Sequence, residues 1–129
     1  MTTNFTPEIT QEISLAIDLI SEPGSEPRGL TMLEDMAQQG DPNAIHYLSL
    51  YLSDIEERED DAKYWLEKAV SFGSPDAAWN LAMIARSHGI TDESRRWIDI
   101  AADLGEPDAI EARSKDYDVE SVLTKYQSE

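Results

Sequence analysis

The chain has 129 residues, enough for one compact domain, and 40% of them are hydrophobic, so a core can form. Its 27 acidic residues against 10 basic ones give a formal net charge of −17 at pH 7, which disfavours binding to nucleic acid or anionic membranes and favours a basic partner. The absence of cysteine excludes disulfide and thiolate chemistry.

The N-terminal stretch, residues 1–8, shows no export signal, because a basic region followed by an apolar run is missing. No apolar stretch elsewhere approaches the roughly 18 residues that a membrane span requires. We therefore expect a cytoplasmic protein without a membrane anchor.

Apolar residues recur at helical spacing along the chain, and no stretch shows the sustained alternation of a strand. Ala44, Leu48 and Leu52, for example, form a stripe at positions i, i+4 and i+8. A turn-rich linker, residues 21–28, separates the first helix from the second. The sequence therefore predicts an all-α protein of four helical hairpins. The eight predicted helices span residues 7–20, 29–39, 43–53, 60–72, 76–88, 92–104, 108–115 and 118–127.

A five-residue motif occurs three times, beginning at Gly40, Gly73 and Gly105, with spacings of 33 and 32 residues. It reads glycine, any residue, proline, asparagine or aspartate, and alanine. Glycine adopts the left-handed conformation that ends a helix, and proline fits the first turn of the next one. The motif therefore predicts three short turns between helices. The polar residues after the prolines are interpreted as helix-start residues, and they are Asn43, Asp76 and Asp108.

The second copy of the motif, with its flanking helices, resembles the Sel-like repeat family, whose members are α/α solenoids similar to tetratricopeptide repeats. The residues that carry the resemblance are AKYWLEKA at 62–69, Gly73, and AAWNLAMI at 77–84. The resemblance implies a short right-handed α/α solenoid of about four helical hairpins in a single domain, residues 1–129. It assigns residues 1–27 to an N-terminal capping helix and linker, 28–116 to the repeats, and 117–129 to a C-terminal capping helix.

The last repeat departs from the family pattern at one core position. Arg113 stands where the earlier repeats have Leu48 and Leu81. Because the end of a solenoid needs a polar outer face, the arginine predicts that the stack terminates there.

The resemblance also implies binding rather than chemistry, since the family has no common enzymatic activity and stacked helix pairs form an extended concave surface. In similar repeats the first helix of each pair lines that surface. Trp79 is either an anchor for a partner or packed against the neighbouring repeat. Trp65 and Trp97 recur at one repeat position, which indicates packing between helices. The concave-face candidates carried over by position are Asn43, His46, Leu50, Asp76, Trp79, Met83 and Arg86.

The densest run of acidic residues lies at residues 54–61. We interpret it first as a solvated loop that leads into a helix with an acidic start, which the helix dipole favours. The alternative is a docking strip for a partner rich in lysine and arginine, and the charge of the whole chain supports it. The acidic candidates are Asp54, Glu56, Glu57, Glu59, Asp60 and Asp61.

Catalysis is not predicted. His46 and His88 are the only histidines, and they lie in different repeats without the spacing of a metal or catalytic motif. The repeat turns account for the glycines, so no phosphate-binding loop remains. We expect no catalytic residue, no metal and no cofactor, and a small hydrolase or metal enzyme would require the two histidines to converge.

These features favour a protein-interaction module, in its specific form an acidic inhibitor such as a bacterial immunity protein that neutralises a basic toxin. The alternative is a regulatory adaptor or scaffold of a signalling or secretion pathway, and the sequence does not separate the two. Self-association through the open face is a further alternative, which repulsion between two acidic copies opposes.

Overall fold

The computed structural model describes residues 5–127, and every regular element in that range is helical. Each α-helix packs against the next one in the chain, and α3 also contacts α5. The predicted all-α class is therefore confirmed. None of the helices in this range is both long and apolar enough to cross a membrane. The helices are α1 (Gln11–Ser21), α2 (Glu26–Gln38), α3 (Pro42–Ser53), α4 (Glu59–Ser71), α5 (Pro75–Ser87), α6 (Thr91–Asp103), α7 (Pro107–Ser114) and α8 (Val119–Thr124), with a 3₁₀ turn at Glu56–Arg58 before α4.

The first two helix boundaries differ from the prediction. The helix expected from residue 7 begins at Gln11, because Thr10 caps it by accepting a hydrogen bond from the Ile13 amide. The linker expected at residues 21–28 is shorter, since α2 already begins at Glu26 with Pro27 in its first turn. Proline is well accommodated there because the first amides of a helix have no intrahelical partner.

The repeated glycines have the conformation that the motif predicts. Gly40, Gly73 and Gly105 have φ values of 91°, 94° and 97°, in the left-handed region that favours glycine. Each glycine follows the end of one helix and is two residues before the proline that begins the next. The predicted turns between helices are thus confirmed at all three positions.

The helix caps lie two residues before the predicted helix-start residues. The residue between glycine and proline is the cap: Ser74 Oγ accepts from the Ala77 amide at 3.2 Å, and a Glu106 carboxylate oxygen accepts from the Ala109 amide at 2.7 Å. Asp41 caps α3 in the same way. Asn43, Asp76 and Asp108 lie in the first turns, as predicted, and because they are not the caps their side chains are available for other contacts.

The core consists of two clusters of buried side chains. The first is built from α1 to α5, and the second from α5 to α8. Trp65 packs on the first cluster and Trp97 on both, as their repeat position predicts. At the equivalent position in the three repeats Leu48 and Leu81 are buried, whereas Arg113 is exposed and pairs with Asp103 at 2.9 Å. Arg113 of the last repeat therefore lies outside the core, as its polar side chain predicts.

Candidate functional site

Residues 5–10, called the N-terminal segment below, lie against the beginning of α3 and the turn between α4 and α5. The Phe5 amide donates a hydrogen bond to the Gly73 carbonyl at 3.2 Å. The Glu8 amide donates to Asn43 Oδ1 at 2.9 Å. The segment is thus attached through its backbone to two of the repeats.

The Phe5 ring is held in an aromatic slot formed by His46, Phe72 and Gly73. Its centroid lies 4.8 Å from that of Phe72 in an edge-on arrangement and 5.8 Å from that of His46. These separations are those of favourable aromatic pairs. Two predicted concave-face residues, Asn43 and His46, are therefore already in contact with the chain's own N-terminal segment.

His46 is only 3% exposed, which corrects the expectation that its side chain is available on an open face. Its ring meets Tyr47 edge-on at 4.8 Å, and its Nδ1 lies 3.5 Å from Ser74 Oγ. Burial lowers the pKa of His46, and the nearby Asp76 carboxylate opposes that shift. The neutral imidazole is the form that the folded chain favours.

Acidification should therefore remove stability through His46. As the pH falls below 6.5, the usual pKa of histidine, the unfolded chain takes up a proton before the folded chain does, so stability falls until the folded-state pKa is reached. Each unit of difference corresponds to about 1.4 kcal/mol. We expect the free energy of unfolding of His46→Gln, measured with urea, to fall less than that of wild type between about pH 7.5 and pH 5.5. Parallel stability profiles for His46→Gln and wild-type protein over this pH range would contradict the assignment.

The remaining concave-face candidates divide between exposed and packed positions. Asp76 is exposed in the first turn of α5, and Leu50 is half-buried. Trp79 and Met83 are half-buried against the second core cluster. Arg86 pairs with Glu120 of α8. Trp79, Met83 and Arg86 of the predicted face on α5 thus already have contacts within the chain. Trp79 keeps both of its interpretations because its side chain is packed yet not fully covered.

Residues 54–61, called the acidic loop below, comprise the connection between α3 and α4 and the first turn of α4. Arg58 lies within the loop and joins it to the neighbouring helix: its Nη2 is 3.1 Å from Glu34 Oε1 on α2, and its Nε is 2.8 Å from Asp61 Oδ2 on α4. A carboxylate oxygen of Glu59 lies 2.7 Å from His88 Nε2 at the end of α5. These contacts connect the acidic loop to α2 and to the end of α5, and the Arg58–Asp61 pair joins two residues of the loop itself.

The other four acidic residues of the loop present free carboxylates. They are exposed, and none forms an ion pair with another residue in the range 5–127. Glu59 and Asp61, by contrast, are engaged by His88 and Arg58. The predicted acidic start of a helix and an exposed acidic strip therefore coexist in one segment. The strip, so called below, consists of Asp54, Glu56, Glu57 and Asp60.

The two histidines have separate surroundings. His46 is enclosed by Phe5, Tyr47 and Ser74, whereas His88 is exposed and contacts Glu59. No contact joins them, so the convergence that a histidine-based enzyme would require is not found. Across residues 5–127, no three His, Asp or Glu side chains are grouped so that they could hold a metal ion.

The sequence analysis missed the aromatic slot and a surface pocket lined by both polar and apolar side chains. The signal for the slot was Phe5 itself, an aromatic residue in a polar stretch just ahead of Pro7. The pocket, of about 260 Å³, lies between α5, α6 and the turn before α8. There the Arg95 guanidinium lies 5.1 Å from the centre of the Tyr117 ring, whose hydroxyl donates to Asp99. Its basic side chains are balanced by Asp118 and Glu120, so it has no strong preference for an anion.

Comparisons with protein-family models, curated proteins and solved structures found no match to this chain. The function must therefore be inferred from the helical fold, the N-terminal segment and the acidic loop.

Proposed function

We propose that this chain is a protein-interaction module, specifically an acidic binding or inhibitor protein such as a bacterial immunity protein that neutralises a basic toxin. The observation that carries the proposal is the strip of free carboxylates on a chain with a net charge of −17. A basic partner approaching this strip is steered by the field of the whole chain. It also gains ion pairs without first breaking any within the protein.

The strip is held in place before a partner arrives. Arg58 fixes the acidic loop to Glu34 of α2 and Asp61 of α4, and Glu59 contacts His88. A surface that is ordered in the free protein loses less conformational entropy on binding. This preorganisation favours the acidic loop over the α3 and α5 face, where Asn43, His46 and Trp79 already have intramolecular contacts.

The scaffold that we propose for this surface is a short right-handed α/α solenoid of the Sel-like, tetratricopeptide-like kind. Three turns with the same left-handed glycine, the packing of each helix on the next, and the contact between α3 and α5 support it. A reducing cytoplasm is the proposed location, and it accords with the absence of cysteine.

The test begins with partners recovered from the native host at low and moderate salt. A basic partner should then be measured against a variant in which the strip is neutralised by Asp54→Asn, Glu56→Gln, Glu57→Gln and Asp60→Asn. We expect affinity to fall about thirtyfold, because four exposed ion pairs contribute roughly 0.5 kcal/mol each and 1.4 kcal/mol corresponds to tenfold.

A matched control removes the same charge elsewhere. Glu12, Asp18, Glu22 and Glu26 are also exposed and form no ion pair within the described range. Neutralising these four should change affinity by less than about threefold at moderate salt, because none of them belongs to the acidic loop and salt screens charges outside the contact. Equal losses in both variants would show that the strip is not the contact, and failure to recover any basic partner would refute the proposal. Simultaneous binding of two proteins would instead indicate an adaptor.

A further inference from the structure

We propose that the N-terminal segment is a displaceable strap, and that the aromatic slot beneath it is a docking site for a basic, aromatic-containing segment of the partner. The identity of that partner rests on the proposed function. The slot and its present occupant rest only on the contacts of residues 5–10.

The aromatic slot is part of the rigid framework. Gly73 ends α4 in the left-handed conformation with its amide bonded to the Val70 carbonyl at 2.9 Å, and Ser74 caps α5. This geometry leaves the Gly73 carbonyl available to the Phe5 amide. An incoming segment with an aromatic side chain can reproduce both contacts, the backbone hydrogen bond to Gly73 and the ring against Phe72.

The strap is held by few contacts. Thr10 caps α1 at one end of the strap; ahead of it, Phe5 and Glu8 each donate one backbone hydrogen bond, and the Phe5 ring is the one side chain of the strap with an aromatic contact. Thr6 and Glu8 have exposed side chains, and Ile9 is 58% exposed although it is apolar. Because so little of the segment ahead of Thr10 is buried, residues 5–9 can leave while Thr10 continues to cap α1.

Charge favours a basic replacement. The strap brings Glu8 to the beginning of α3, where Asp41 is the cap and Asn43 accepts the Glu8 amide. Asp76 lies close enough to act electrostatically on His46 at the slot. The strap thus adds a carboxylate to a region that is already acidic. A partner segment with lysine in the position of Glu8 places a positive charge in this acidic region and gains an attraction.

The slot and the strip lie at opposite ends of one helix. The slot contacts α3 near its first turns, and the acidic loop follows its last residue. With 12 residues, α3 is about 18 Å long at roughly 1.5 Å per residue. An extended segment of about six residues spans that distance. One basic segment of a partner is therefore long enough to cover the separation between the two surfaces along α3.

The experiment uses the full chain and three dye-labelled peptides: residues 1–10, the same peptide with Glu8→Lys, and the same peptide with Phe5→Ala. A tethered segment competes at an effective concentration in the millimolar range, so wild-type protein should bind the peptides weakly. The Phe5→Ala protein should bind the residue 1–10 peptide at least tenfold more tightly than wild type does. The Glu8→Lys peptide should bind it about threefold to tenfold more tightly still at low salt, and the Phe5→Ala peptide should not bind.

Ile9→Ala is the matched control, because it shortens an exposed apolar side chain of the same strap, and it should behave as wild type. Hydrogen exchange provides a second measurement that does not depend on the Phe5→Ala variant: excess Glu8→Lys peptide should accelerate exchange of the Phe5 and Glu8 amides in wild-type protein. Two results would overturn the proposal of a displaceable strap. One is that no peptide binds the Phe5→Ala protein and hydrogen exchange in wild-type protein is unchanged. The other is that the peptides bind the wild-type and Phe5→Ala proteins equally well. Binding of a basic partner through the strip would still stand in either case. Conversely, if the peptide displaces the strap but no basic partner is recovered, the proposed function alone is refuted.

Discussion

Replacing Gly29 with alanine should lower the free energy of unfolding by about 3 kcal/mol, although the same change stabilises most helices by roughly 1 kcal/mol. Gly29 lies in the first half of α2 and is buried against α1. A Cβ at this position would lie 2.5 Å from the Ala16 carbonyl oxygen and 2.8 Å from the Ile20 amide nitrogen. These are backbone atoms, so no side-chain rotation relieves the clash and the two helices must separate.

Urea denaturation of Gly29→Ala against Gly24→Ala measures this effect. A Cβ at Gly24 meets nothing within 4 Å, but the residue has a φ of 86°, so alanine there costs about 1–2 kcal/mol through the backbone alone. The helical Gly29 variant should be the less stable of the two. The opposite order would show that α1 and α2 do not approach each other at this point.

Leu48→Ala should destabilise the protein by about 3 kcal/mol, whereas Arg113→Ala should change stability far less. Leu48 is fully buried in the first core cluster, so truncation removes apolar contacts and leaves a cavity. Arg113 has the same position in the last repeat, yet it is exposed and pairs with Asp103 and Asp99 at the surface. Surface pairs of this kind contribute little to stability.

Chemical denaturation of both variants, with Leu81→Ala as a second buried position, provides the comparison. Leu81 is 3% exposed and should respond as Leu48 does. If Arg113→Ala lost as much stability as the two leucine variants, the last repeat would continue the core instead of ending it.

The candidate surfaces were only partly predictable. The acidic run was evident in the sequence, and its helix-start character follows from local charge and the helix dipole. The sequence did not show which of these carboxylates are free, because Arg58 pairs with Glu34 of another helix and Glu59 contacts His88. The resemblance placed His46 on the predicted concave face. A comparison of repeats contains no information about the N-terminal segment, which lies outside the repeats and covers His46.

The sequence by itself determined the helices and the turns between repeats, because apolar periodicity, a left-handed glycine and a proline in the first turn act over a few residues. Tertiary structure alone decided the burial of His46, the bond from Phe5 to Gly73 and the pairing of Arg58 with Glu34. Each of these joins residues that are distant in the chain and meet only after the helices have packed. Their partners are therefore set by the packing of whole helices, which no local pattern specifies.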